Sequence, residues 1–142
     1  MPSKPYIQIG IFLRGFPKKD VDALYAKIGI FFSSGVIQGK DFVETEIQKN
    51  LVDIKFISRL RVEYTFEECQ VLHAEIFSTK LDSKKDSFLI CSASSSVGRV
   101  IHSGGTLSCP IIWNKNIDMN PEGNQKAFII FCIREDPLFK VC

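Results

Sequence analysis

Apolar and polar residues alternate along much of this chain, and a period of two is the signature of strands with one buried face. In YIQIGIFLR, Ile7, Ile9, Ile11 and Leu13 share a face. In KFISRLRVEY, Phe56, Ser58, Leu60, Val62 and Tyr64 face one way, and Ile57, Arg59, Arg61 and Glu63 the other. KAFIIFCIRE is apolar on both faces, as a central strand of a sandwich can be. Runs starting at Tyr6, Tyr25, Phe42, Phe56, Val71, Phe88, Thr106 and Lys126 give about eight strands. Helix is confined to a turn around residues 66–70 and to residues 96–102. The breaks fall at turn chemistry: Gly15-Phe16-Pro17, Ser33-Ser34-Gly35, and the run from Asn120 through Pro121 and Gly123 to Asn124. The pattern predicts an all-β, eight-stranded antiparallel β-sandwich with one or two short helical turns.

Length and composition fit that reading. A chain of 142 residues forms one domain, residues 1–142, and buries roughly two-thirds of its unfolded surface. Twelve phenylalanines against one tryptophan and two methionines point to an aromatic-rich core. The net charge of +2 gives no basis for nucleic-acid binding, so none is expected. Lys4, Arg14, Lys18 and Lys19 interrupt the N-terminal apolar runs, which argues against a signal peptide. No apolar stretch reaches the length of a membrane span, so membrane contact would be peripheral and the expected location cytoplasmic. Five cysteines, Cys69, Cys91, Cys109, Cys132 and Cys142, form an odd, unpatterned set. They read as reduced thiols, the first four packed as small hydrophobes and Cys142 exposed. The C-terminal FKVC is not a prenylation box.

No enzyme constellation is visible, and a non-catalytic role is expected. Gly104-Gly105 is a turn signal rather than a phosphate cradle. His73 lies mid-strand in VLHAEIF, and no local signature joins it or His102 to Cys69 or Cys109. No two cysteine or histidine residues have zinc-ligand spacing. Glu67-Glu68 look like a solvated turn rather than an acid/base pair.

From Thr45 to Gly105 the order of elements is more specific. It runs as a short strand (TEIQ), a turn (KNLVD), the strand KFISRLRVEY, a helical turn (TFEECQ) and the strand VLHAEIF. A lysine-rich loop (STKLDSKKDS), a strand opening on FLICSA and a short helix (SSVGRVIHSGG) complete it. This order resembles the C-two domain, the calcium- and lipid-binding β-sandwich, and in particular the first such domain of the copines. The landmarks are Thr45-Glu46-Ile47, the run Tyr64 to Gln70, Phe88-Leu89, the run Val97 to Ile101, and Leu107-Ser108. Copines also carry a second such domain and a von Willebrand type A domain, and neither is among these residues.

The resemblance implies three functional loops at one end of the sandwich, here residues 15–23, 49–54 and 78–87. A calcium site needs six to eight oxygens, much of their charge from carboxylates. The family pattern offers two aspartates in loop one and up to three in loop three. Asp20 matches the first of these, but the second falls on an apolar or aromatic residue near Leu24 or Tyr25. In loop three, Ser78, Lys80 and Ser87 stand at aspartate positions, with Asp82 and Asp86 nearby but displaced. A lysine in the cage would repel the ion. No cofactor is therefore expected, and calcium is disfavoured; Asp20, Asp82 and Asp86 read as a vestigial metal set.

Two basic groups remain. Lys18, Lys19, Lys49, Lys80, Lys84 and Lys85 would share the loop end, with Phe16, Leu51 and Leu81 as apolar insertions. Basic residues near an anionic membrane contribute about 1 kcal/mol each, but Asp20, Asp22, Asp53, Asp82 and Asp86 oppose them. Lys55, Arg59 and Arg61, with His73 on a neighbouring strand, form a smaller basic face. Glu44-Thr45-Glu46 falls where some C-two domains carry a lysine-rich phosphoinositide strand, and its acidity argues against that site. The expectation is a calcium-independent module that binds anionic phospholipid membranes peripherally. The alternative is a protein-interaction scaffold on the same sandwich without lipid binding.

Overall fold

The computed structural model describes residues 6–16, 22–32, 37–49, 53–64, 69–116 and 127–135. Eleven strand segments and one helix make up this part: β1 (Tyr6–Arg14), β2 (Ala23–Phe32), β3 (Ile37–Glu44), β4 (Gln48–Lys49), β5 (Ile54–Lys55), β6 (Leu60–Glu63), β7 (Gln70–Lys80), β8 (Ser83–Ser96), α1 (Val97–His102), β9 (Thr106–Cys109), β10 (Ile112–Trp113) and β11 (Phe128–Glu135). All the strand pairings are antiparallel. In the first sheet the order is β5-β1-β11-β9, with β6 also on β1; in the second it is β10-β8-β7-β2-β3, with β4 also on β2. The two sheets form the expected antiparallel sandwich.

The alternation read along the chain is what builds the core. Ile9, Ile11 and Leu13 of β1 are buried against Leu24, Ile28 and Ile30 of β2, Leu72 and Ile76 of β7, and Phe131 of β11 in one cluster. Phe56, Leu60 and Val62 join it, while Ile57 and Arg61 face out as their parity requires. The helix is the expected one. Ser96 caps it by accepting from the Arg99 N–H at 3.1 Å, and Val97 and Val100 pack into the core. Gly105, at φ 93°, lies so close to the Ile133 carbonyl that a Cβ would stand 2.8 Å from it.

Three of the expected strands are interrupted, and each break has a local cause. KFISRLRVEY is not one strand: β5 and β6 are separated by residues 56–59, which bulge where the Glu46 carboxylate takes the Ile57 and Ser58 N–H groups. TEIQ is not a strand either. The Thr45 N–H still donates to the Ala26 carbonyl at 2.8 Å, but the Ala26 N–H turns to Thr45 Oγ1 at 2.8 Å, and only Gln48 and Lys49 re-pair with β2. The run from Thr106 crosses between sheets, β9 pairing with β11 and β10 with β8. Pro110, which has no N–H to give, stands at the crossing.

The lysine-rich loop is also revised. β7 runs on to Lys80 and β8 begins at Ser83, leaving a two-residue turn at Leu81-Asp82. Between the pairs Ser78↔Phe88 and Lys80↔Ser83, the residues Lys84 to Ser87 bulge out of β8, with Asp86 at φ 59°. The expected helical turn at 66–70 falls mostly on residues 66–68, outside the described residues, and Gln70 already belongs to β7.

Candidate functional site

The described residues that border the three expected loops lie at one end of the sandwich. Gly15, at φ 71°, turns the chain out of β1, and its N–H donates to Asp53 Oδ1 at 2.9 Å, tying the first loop to the approach to β5. Ala23, at the start of β2, pairs with Thr79 on one side and Lys49 on the other, which brings the β7–β8 hairpin and β4 to the same end.

Several expected contacts fare differently there. Phe16 does not point to a membrane: it is 1% exposed and packs on Trp113 with ring centroids 5.7 Å apart. The turn at Gly15 directs the ring back under β10, so its apolar surface is spent in the core. Lys84 is not a free basic contact. Its ammonium lies 2.8 Å from Glu44 Oε1, 2.8 Å from the Thr45 carbonyl and 4.8 Å from the centre of the Tyr25 ring. Ser87 Oγ and the Tyr25 hydroxyl are 2.8 Å apart, so the bulge of β8 is fastened across the outer side of β2. Lys49, Lys80 and Lys85 are exposed, and Leu81 at the turn is 60% exposed. Lys18, Lys19, Asp20 and Leu51 lie outside the described residues.

The described residues do not make a calcium cage. Ser78 and Thr79 are buried in the ladder, Asp82 sits on the turn and Asp86 on the bulge. No group of three or more His, Cys, Asp or Glu among the described residues could hold a metal ion.

The acidic Glu46, expected only as an argument against a lysine cluster, is a structural anchor. Burial pushes its carboxyl up, but hydrogen bonds from Ile57 N–H, the Gln48 side chain, Ser58 N–H and Ser58 Oγ outweigh this and lower it to about 2. Burial raises the thiols of Cys91, to about 12, and of Cys109, the latter opposed by Arg99. Cys69, expected to be packed, is exposed.

The basic face divides. Lys55, Arg59 and Arg61 lie on the outer side of the first sheet. Lys55 stands 5.2 Å from the Phe12 ring centre, Arg61 4.2 Å from that of Tyr6, and the Arg59 guanidinium lies over Gly10. His73 is not with them. It is on β7 in the second sheet, its Nδ1 2.6 Å from Ser94 Oγ and its ring edge-on to Phe31. Arg134 and Gly10 were missed as members of the first face. Gly10 carried a readable signal, since a glycine inside an alternating strand often marks a close approach.

These features can be set against known proteins. No family model matches the chain, and no curated protein matches it in sequence. Solved structures do match in shape. A C-two (C2) domain structure superposes with a TM-score of 0.53 at 12% identity, covering 93% of this chain and 98% of that one. The fold is that of a C-two domain. A C-two domain of plant extended synaptotagmin 1 matches with a TM-score of 0.57 at 10% identity, over 96% of this chain and 98% of that one. A calcium-bound two-domain structure of extended synaptotagmin 2 gives 0.58 at 14% identity, over 94% of this chain and 46% of the other. The C-two fold thus stands on shape. Among the described residues, no helix is long and apolar enough to cross a membrane.

Proposed function

We propose that this C-two domain binds anionic phospholipid surfaces peripherally and without calcium, through the end of the sandwich that carries the β7–β8 turn. The carrying observation is the hairpin itself. Its tip presents Leu81, 60% exposed, beside Lys80, with Lys49 and Lys85 exposed on the same end. Burying a leucine side chain contributes about 1.5–3 kcal/mol when complete, and each lysine near an anionic surface about 1 kcal/mol. Asp82 and Asp86 subtract from the charge term, so the apolar tip supplies much of the binding.

The same hairpin supports the calcium-independent reading. The stretch that resembles a calcium loop is zipped into strand up to Lys80. The ammonium of Lys84 joins the bulge of β8 to the junction of β3 and β4, so this end is held together by a cation of the chain itself. Catalysis has no part in the proposal. The extended-synaptotagmin structure is described as calcium bound, and the present domain is proposed to differ from it in that respect.

The test is co-sedimentation with vesicles of phosphatidylcholine alone or with phosphatidylserine, each in calcium and in chelator. Equal binding to the anionic vesicles in both media is expected, weakened by Leu81→Ser. A requirement for calcium would overturn the reading.

A further inference from the structure

Along β1, every outward-facing position carries a cation. Arg61 lies over the Tyr6 ring, the Arg134 Nε donates to Gln8 Oε1 at 3.0 Å, Arg59 lies over Gly10, Lys55 stands over Phe12, and Arg14 completes the row. The cations come from β11, from β5 and β6, from the bulge between them, and from β1 itself, yet they converge on alternate residues of one strand. Gly10 permits this. A Cβ there would stand 2.7 Å from Arg59 Nη1, so any other residue would push the guanidinium from its place over β1. Among the described residues, the carboxylates on this face sit at the two ends: Asp53, already accepting from Gly15, beside Arg14, and Glu63 opposite Tyr6. Among the described residues, Arg14, Lys55, Arg59 and Arg134 take part in no ion pair.

The stripe is one strand wide and, at about 3.3 Å per residue over four two-residue steps, about 26 Å long. Its repeat of about 6.6 Å is the distance between alternate side chains of an extended chain. Beside its Arg14 end, a groove of about 540 Å³ opens between Phe12, Lys55 and Ile130, walled by the uncharged Thr106 and Ser108 of β9. A single row of charges with this repeat fits one extended chain more closely than the two-dimensional array of headgroups on a bilayer. We infer that the outer face of the first sheet binds an extended acidic segment of a protein partner, with carboxylates at alternate positions laid along β1. This face is separate from the β7–β8 tip, and the inference does not depend on lipid binding.

The probe is a fluorescein-labelled decapeptide of alternating Glu and Thr, titrated with the full chain and followed by anisotropy at low and moderate salt. The comparison is a peptide of the same composition with its five Glu in one block. The alternating peptide is expected to bind at least about tenfold more tightly than the block, and to weaken with salt. Arg14→Ala, Lys55→Ala and Arg59→Ala together, with an unchanged circular dichroism spectrum, should weaken it at least tenfold. Gly10→Ala, which keeps every charge but displaces Arg59, should weaken it severalfold. Lys80→Ala with Lys85→Ala should leave peptide binding unchanged. Failure of the alternating peptide to bind, equal binding of the two peptides, or retention by the triple variant overturns the inference. So does loss of anionic-vesicle binding in the triple variant without any peptide binding, which would make the face a lipid surface.

Discussion

Replacing Glu46 with glutamine should destabilise the domain at neutral pH and hardly at all in acid. The carboxylate accepts from Ile57 N–H at 2.6 Å, Ser58 N–H at 3.0 Å, Ser58 Oγ at 2.8 Å and Gln48 Nε2 at 2.8 Å, and so holds the bulge that separates β5 from β6. Glutamine has the same size, but it turns an NH2 group toward these donors. The folded carboxyl titrates at about 2 instead of 4.5, which converts to about 3 kcal/mol at ~1.36 kcal/mol per unit. The carboxylate is only partly buried, and solvent screening reduces that to about 1–2 kcal/mol. With an unfolding entropy of about 0.3 kcal/mol/K for a chain of this length, Tm should fall by about 3–7 °C. Because the folded pKa lies below the unfolded one, the stabilisation is complete above the unfolded value of 4.5 and is lost as pH falls toward about 2. Urea unfolding followed by the fluorescence of Trp113 reads this directly. The difference between wild type and Glu46→Gln should be about 1–2 kcal/mol at pH 7 and less than half of that at pH 3. An equal difference at both pH values, or none at pH 7, would refute the assignment.

Other consequences follow from burial. Thr45→Val removes the acceptor of the Ala26 N–H and leaves a buried donor unpaired, so it should cost about 1–3 kcal/mol in urea unfolding. Phe16→Ala should cost about 3–5 kcal/mol, the cost of emptying an aromatic core position; a loss below 1 kcal/mol with weakened vesicle binding would return Phe16 to the membrane-facing set. Native-state alkylation at pH 8 should modify Cys69 and leave Cys91 unmodified, since burial holds the latter's thiol near 12.

The sandwich was legible because period-two alternation places each strand's apolar set without reference to its neighbours. Ile9, Ile11, Leu13, Leu60 and Val62 are buried where their parity put them. What alternation could not show was where a strand breaks while its parity continues. Phe56, Leu60 and Val62 still face the core across the bulge, so the sequence reads as unbroken although Glu46, more than ten residues away, has taken two N–H groups out of the ladder. The loop end was read less well for a related reason. STKLDSKKDS is polar and lysine-rich, as an exposed loop would be, but an outer strand edge with a bulge has the same composition. Phe16 was misplaced because a single aromatic after a glycine turn carries no period to say which way it points. The cationic row along β1 depends on residues distant in sequence, Arg134 and Gln8 among them, and only the pairing of β11 with β1 brings them together.

The central claim is most directly tested by measuring the affinity for phosphatidylserine-containing vesicles in chelator and in calcium, for the native chain and for Leu81→Ser. The account predicts the same affinity in both media and a loss of roughly tenfold in the variant, the equivalent of about 1.4 kcal/mol of apolar insertion. Binding that appears only with calcium, or that is indifferent to Leu81, would contradict it.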